Sequence, residues 1–389
     1  MPQGSRVLLT ENENDEEESM SAQRLIALLA LCAALVLGIA ACGDDDDSGS
    51  TAASGSSSSG EKLGGSLNGA GATFPQPVYT EWAARFKEST GTTVNYQGIG
   101  SGGGVAQFTA GTVDFGATDA ALKDDELEKA STKSEALDIP TVLGAVTVSY
   151  NVQGVDKGLK LDGATVADIF LGKVKKWNDP KIAGQNSGVS LPGADIAICH
   201  RSDESGTTKN FTQFLANYSP EWEKGPGVDK TVKWPAGTGA KGNDGVAACI
   251  KQNDNSIGYV EQAYALQNNF TYASVKNKAG KYVEPTLEAT AAAGEGASPP
   301  DDLRFSTIDA EGDGTYPISA VTFLLVHQDM CKGGLDAGKA KLLKAWLDYA
   351  LGDGQAVAKE LQYAPLPSSI LEKAKAKVAG LQCNGSPVS

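Results

Sequence analysis

The sequence predicts an α/β protein. Short β-prone runs alternate with helical periodicity from about residue 66 to the C-terminus. One of these runs, Thr141 to Tyr150, is apolar throughout, as a strand covered on both faces is. Glycine-rich turns separate strand from helix at Gly69–Pro75, Gly98–Gly104 and Gly237–Gly245. The strands are expected to run mostly parallel, as alternating βα units do.

The first 19 residues are acidic and aperiodic, the wrong opening for an export signal, so Met20 is the expected start. After Arg24 come 17 uncharged residues, Leu25 to Ala41, and then Cys42. A short basic segment, an apolar segment and small residues before a cleavage point make a signal peptide. A membrane span needs about 20 apolar residues, so this run is short for one. Ile39-Ala40-Ala41-Cys42 is similar to a bacterial lipobox, so Cys42 is expected to carry lipid. Gly43 to Gly60 is rich in Ser and Gly, with Asp44 to Asp47 keeping it solvated. Residues 1–41 are therefore read as extension and signal, and 42–64 as lipidated cysteine and tether.

The body opens with a strand end at Ser66–Asn68 and a tight loop, Gly69 to Pro75. Pro75 suits the first turn of a helix, and Val78, Trp82 and Phe86 recur on one face of it. Thr92–Gln97 and Thr112–Ala117 are β-like, with a helix expected around Val105–Ala110 between them. Gly98 to Gly103 fits the spacing GxGxxG, but the acidic residue about 20 residues later, Asp119, is read as following a turn and not as a convincing strand end, so a dinucleotide site is not indicated. Helical patterning follows at Val166–Leu171, and a strand at Ile196–Cys199. A helix from about Asn243 to Lys251, strands at Ile257–Val260 and Ile318–Val326, an amphipathic helix through Leu342 to Leu351, and a last helix from Ser369 to Ala379 complete the chain. Residues 268–315 are expected to be loop with short strands.

The net charge of −15 argues against nucleic acid, whose phosphates demand basic surface. It does not exclude one small anion, because local dipoles in a cleft outweigh diffuse charge screened over about 8–10 Å. Cys199, Cys249, Cys331 and Cys383 remain in the body, an even number that suits two disulfides in an exported protein, with three pairings possible. His200 and His327 lie far apart and no CxxC occurs, so neither a metal site nor another cofactor is indicated.

The stretch Arg201 to Thr208 joins a strand to a helix. Unpaired N–H groups and the positive end of the helix dipole meet there. Ser205, Thr207 and Thr208 add hydroxyls, Gly206 admits close approach, and Arg201 offers a planar fork of donors. An ordinary capped helix would use the same residues, so this stretch alone does not decide.

Four ordered segments carry a resemblance: Gly69–Pro75, Tyr96–Gly103, Val113–Asp119 and Arg201–Thr208. With Lys241–Gly245 and Ile257–Glu261, they make the chain from about Ser66 onward resemble the phosphate-binding proteins of bacterial high-affinity phosphate ABC importers, the PstS type. That resemblance implies a two-lobed type II periplasmic-binding-protein fold with the ligand cleft between lobes. Lobe I would be 65–142 plus 320–389, and lobe II 143–319. It implies phosphate ligands at Thr73, Phe74 (through its N–H), Ser101, Asp119, Arg201, Ser205, Gly206 and Thr207, with Asp203 orienting the arginine. Pairing Cys199 with Cys249 and Cys331 with Cys383 would keep each bridge within one implied lobe.

Asp119 is the selective element in that reading. Phosphate keeps a proton near neutral pH and sulfate keeps none. A carboxylate facing sulfate would be buried against acceptors only, and sites that bind a substrate hydrogen reject analogues lacking it by roughly 10^4–10^5. Glu204 is expected to point to solvent, and His200 to pack away from the cleft. The implied role is extracytoplasmic capture of phosphate and its delivery to a membrane permease, by a lipid-anchored monomer without catalytic residues. Alternatives are a receptor for another oxyanion, or a secreted phosphatase or hydrolase working through Ser101 or Ser205. The enzyme reading lacks a metal cluster or a positioned histidine in the sequence.

Overall fold

The computed structural model describes residues 62–155 and 158–388. Met20, Cys32, Cys42 and the tether aspartates lie outside them.

The chain first builds β1 (Ser66–Gly71), α1 (Gln76–Thr90), β2 (Thr93–Gly98), α2 (Ser101–Ala110) and β3 (Phe115–Thr118). β1 lies between β2 and β3 and runs parallel to both. The helices are crossovers and cover the strands. In α1 the predicted stripe is buried, with Tyr79 stacked on Trp82 at 5.4 Å and Trp82 edge-on to Trp346. Cutting Trp82 back to Ala would cost about 3–5 kcal/mol on such a core. α2 approaches the strands closely because Gly104 has no side chain. A Cβ there would fall 2.5 Å from Gly71 Cα and 2.7 Å from the Ala117 carbonyl. α2 begins at Ser101 itself, earlier than the periodicity suggests, after Gly100 in a positive-φ turn.

α3 (Asp124–Ala130) leads into β4 (Ala136–Asn151), a strand buried along almost its whole length. Next come α4 (Gly163–Phe170), β5 (Ala197–Arg201), α5 (Gly206–Tyr218), β6 (Thr238–Ala240), α6 (Gly242–Gln252) and β7 (Ser256–Glu261). Inside the stretch read as loop lies a helix, α7 (Leu287–Glu295). The chain returns through β8 (Ser319–His327) and ends with helices α8 (Ala337–Ala350) and α9 (Ser368–Ala379).

The main sheet runs β2-β1-β3-β8-β4-β7-β5-β6. Its two ends are parallel, as expected. Its middle is not: β3–β8, β8–β4 and β4–β7 are all antiparallel. Burial on both faces makes a strand continuously apolar in either direction, so the composition of β4 carries no sign of its orientation. β4 is used twice. Ala136–Ala145 pairs with β8, and Val146–Asn151 pairs with β7. Pro140 cannot donate to the ladder, and a register shift in β4–β8 falls there, between Thr322 and Phe323.

Candidate anion-binding site

The parallel strands β1, β2 and β3, and β5 from the other end of the sheet, bring their carboxyl ends to one place, as at the ligand sites of open α/β sheets. The loops after β1, β2, β3 and β5, and the turn before α6, all reach it.

Thr118 ends β3, and Asp119 follows, buried. Ser101 and Gly206 meet it from two helix starts. The N–H groups of Gly206 and Asp119 donate to Ser101 Oγ at 3.0 and 3.3 Å, and that hydroxyl lies 3.5 Å from Asp119 Oδ2. Gly206 is required here, since a Cβ would fall 2.5 Å from Ser101 Oγ and 2.8 Å from Asp119 Oδ2. Ser205 caps α5, its Oγ accepting from Thr208 N at 3.1 Å. That bond uses the oxygen and leaves the hydroxyl proton to donate elsewhere.

Arg201 ends β5 with its guanidinium buried. Asp203 takes two donors, Nε at 2.7 Å and Nη2 at 2.5 Å, in a fork. Nη1 lies 3.3 Å from Thr207 Oγ1. Burial pushes Asp203 upward, but the arginine and the Gly242 N–H outweigh it and hold the carboxyl below its usual range. Asp203 therefore stays ionised and fixes the arginine.

Thr73 joins this group from the β1 loop. Asn243, at the start of α6, donates its N–H and its side-chain amide to Thr73 Oγ1 at 3.1 and 2.9 Å, and the same amide reaches Thr207 Oγ1 at 3.2 Å. Tyr264 donates to the Thr73 carbonyl at 2.6 Å. The Phe74 carbonyl accepts from Tyr363 at 2.7 Å, and its ring is buried. All eight residues expected to be ligands thus converge, and Asp203 sits behind Arg201.

Of those eight residues, Asp119 alone carries a carboxyl group. Burial raises it to about 7; Thr322, Arg201, Ser101 and Lys230 pull the other way without overcoming burial. Nothing in the sequence marks Asn243, Tyr264, Thr322 or Lys230 as a site residue. Asn243 lies in the Lys241–Gly245 segment, where it reads as part of a capped helix. Thr322 shows only as a hydroxyl inside an apolar strand.

His200 stacks on Trp234 at 4.6 Å, and its Nδ1 lies 2.9 Å from the Arg201 carbonyl, so it packs into the protein. Burial lowers its pKa. Glu204 is exposed, but its side chain lies along Gly102, where a Cβ would meet Glu204 Cδ at 2.0 Å. Its carbonyl accepts the Gly102 N–H at 3.0 Å. A carboxylate at the start of α2 complements that helix's dipole. Cys199 is bonded to Cys249, and Cys331 to Cys383.

Residues 50–353 match the model of a PBP superfamily domain. The phosphate-binding protein PstS of Pasteurella multocida is 43% identical over 318 residues, covering 80% of this chain and 89% of that one. PstS of Xylella fastidiosa is 42% identical over 313 residues, covering 80% and 84%. Among solved structures, a high-affinity periplasmic phosphate-binding protein (PfluDING) bound with phosphate shares the fold, with a TM-score of 0.67 over 82% of this chain and 96% of that one, at 24% identity.

Proposed function

The chain belongs to the PBP superfamily and, within it, to the PstS phosphate-binding proteins, and from that membership we propose how its cleft takes phosphate. The protein is the extracytoplasmic phosphate-binding component of a phosphate ABC importer, a binding protein and not an enzyme.

Phosphate is held by Thr73, the Phe74 N–H, Ser101, Asp119, Arg201, Ser205, Gly206 and Thr207. The observation that carries this reading is that Gly206 and Asp119 both meet the Ser101 hydroxyl within hydrogen-bond distance. Donors from two helix starts face one buried carboxyl poised at about 7. Such a group readily accepts a proton from phosphate, and it has nothing to accept from sulfate.

The chain before Leu143 and after Ser319 forms one lobe, and residues 143–319 form the other. Thr73, Phe74, Ser101 and Asp119 come from the first, and Arg201 to Thr207 from the second. Ligand bound between them favours the closed state, which gives the permease a difference to read. The protein works as a monomer tethered by lipid on Cys42 at the outer face of the cytoplasmic membrane. Loss of fatty-acid labelling in Cys42→Ala tests the anchor.

Calorimetric titration with phosphate and with sulfate tests the central reading. Tight, selective binding of phosphate is expected. Equal binding of both anions would remove the role given to Asp119.

A further inference from the structure

Lys230 lies in the segment between α5 and β6 and is 2% exposed. Its Nζ donates to Glu126 Oε1 at 2.6 Å. Glu126 is on α3, before β4, whereas Lys230 lies in the part of the chain between β4 and β8. Two further contacts follow the same route. Lys123 Nζ meets both oxygens of Asp229 at 2.8 and 2.9 Å. Arg304 Nη1 reaches the Leu122 carbonyl at 3.1 Å and Asp124 at 2.8 Å. The start of α3 is thus clasped by three residues from the opposite lobe.

The three contacts differ in strength. Lys123 and Asp229 are each about half exposed, and Asp124 is almost fully exposed, so water and salt screen them. Lys230 and Glu126 are desolvated together. Apolar residues of similar volume would hold a protein as well as a buried ion pair does. A charge at this position therefore calls for a further reason.

The neighbourhood supplies one. The Lys230 carbonyl accepts the N–H of Ser205 at 2.9 Å, so this residue is part of the wall that opens α5. The site holds Asp119 and an anion together, while Arg201 is already forked onto Asp203. The charge of Lys230 acts on Asp119 in favour of its ionised form. Resting on the phosphate reading, we propose that Lys230 is a positioning residue for the bound anion: buried against Glu126 when the lobes close, it supplies a second positive charge beside the site and ties closure to occupancy. In the open state both partners regain water, so the pair adds its charge only where the anion is enclosed.

The test separates charge from packing. Glu126→Gln leaves an unpaired buried ammonium only once the lobes close, so it should leave the melting temperature without phosphate near the parent's and lower phosphate affinity by about tenfold. Glu126→Gln with Lys230→Met removes both charges. Its melting temperature without phosphate should also stay close to the parent's, while phosphate dissociates about tenfold faster than from the parent. Lys230→Arg alone should keep affinity within about threefold, since the charge is retained. The proposal is overturned if the double variant holds phosphate as tightly as the parent, or if Lys230→Arg is as weak as the double variant. Parent protein titrated alongside keeps the cases apart. A parent that does not take phosphate would sink the functional reading itself.

Discussion

Thr322 Oγ1 donates to Asp119 Oδ1 at 3.0 Å, across the antiparallel pairing of β8 with β3. The same hydroxyl lies 3.3 Å from the Thr118 carbonyl. A hydroxyl has one proton and two lone pairs. It can donate to the carboxylate when Asp119 is ionised. When Asp119 holds a proton, the hydroxyl can accept from it and donate to Thr118 instead. The pair thus accommodates both states of a carboxyl that burial raises to about 7.

Thr322→Val keeps the shape and removes that adaptor. Asp119 then ionises less readily, and phosphate affinity should fall about tenfold, the worth of a hydrogen bond to a charged group. Calorimetry at pH 7.5 checks this, and an unchanged affinity would show that Thr322 is only packing.

Asp119→Asn replaces an acceptor by a group that can also donate. Phosphate binding should weaken by two orders of magnitude or more, and the preference over sulfate should collapse. Competition between the two anions for the variant measures this. A variant that still discriminates would place selectivity elsewhere.

Arg201→Lys retains the charge but not the fork. Lysine cannot meet both oxygens of Asp203 while still facing Thr207, so affinity should drop about 100-fold with the fold intact by circular dichroism. Loss of less than threefold would mean that charge alone matters here.

The site's loops were legible because their chemistry is concentrated in short stretches. Glycine beside hydroxyls at a helix start is visible in a one-dimensional string. Asn243, Thr322 and Lys230 were not legible, because each is an ordinary residue whose partner lies about 100 residues away or more. α7 was missed because its Ala-rich run has no polar–apolar stripe to mark it. The antiparallel middle of the sheet was hidden for a similar reason: composition reports burial, and direction is set by which strands the chain later brings alongside.

Asp138 offers a test of stability against pH. It sits on β4 with Oδ1 accepting from Leu122 N at 3.1 Å and Oδ2 without a hydrogen-bond partner. Burial raises it to about 7, against pulls from the Leu122 N–H and Arg304. The folded protein thus keeps a proton that the unfolded chain releases above about 4. Its contribution is fully present below pH 4 and is lost as pH rises through 7. Asp138→Asn relieves about 4 kcal/mol of burial cost at pH 8 and none at pH 4, and the unmet N–H groups of the new amide cost about 2 kcal/mol at both, so stability should rise by about 2 kcal/mol at pH 8 and fall by about 2 kcal/mol at pH 4. Urea unfolding at the two pH values decides it, and an equal effect at both would show that the carboxyl is not titrating.

Reduction should destabilise the body. Cys199–Cys249 closes 50 residues and Cys331–Cys383 closes 52, loops that typically contribute about 2–4 kcal/mol each. Scanning calorimetry with and without reductant should show a lower melting temperature after reduction, and the two Cys→Ser pairs would apportion it. No shift would mean that neither bridge constrains the unfolded chain.

The double use of β4 sets a timetable. β3 has no partner on its far side until β8 arrives about 200 residues later, and the first half of β4 waits for the same strand. A chain made from its N-terminus cannot complete its central sheet until nearly all of it is available. Closing that sheet is therefore a late, long-range event, and the earlier strands stay pliable until β8 locks them together.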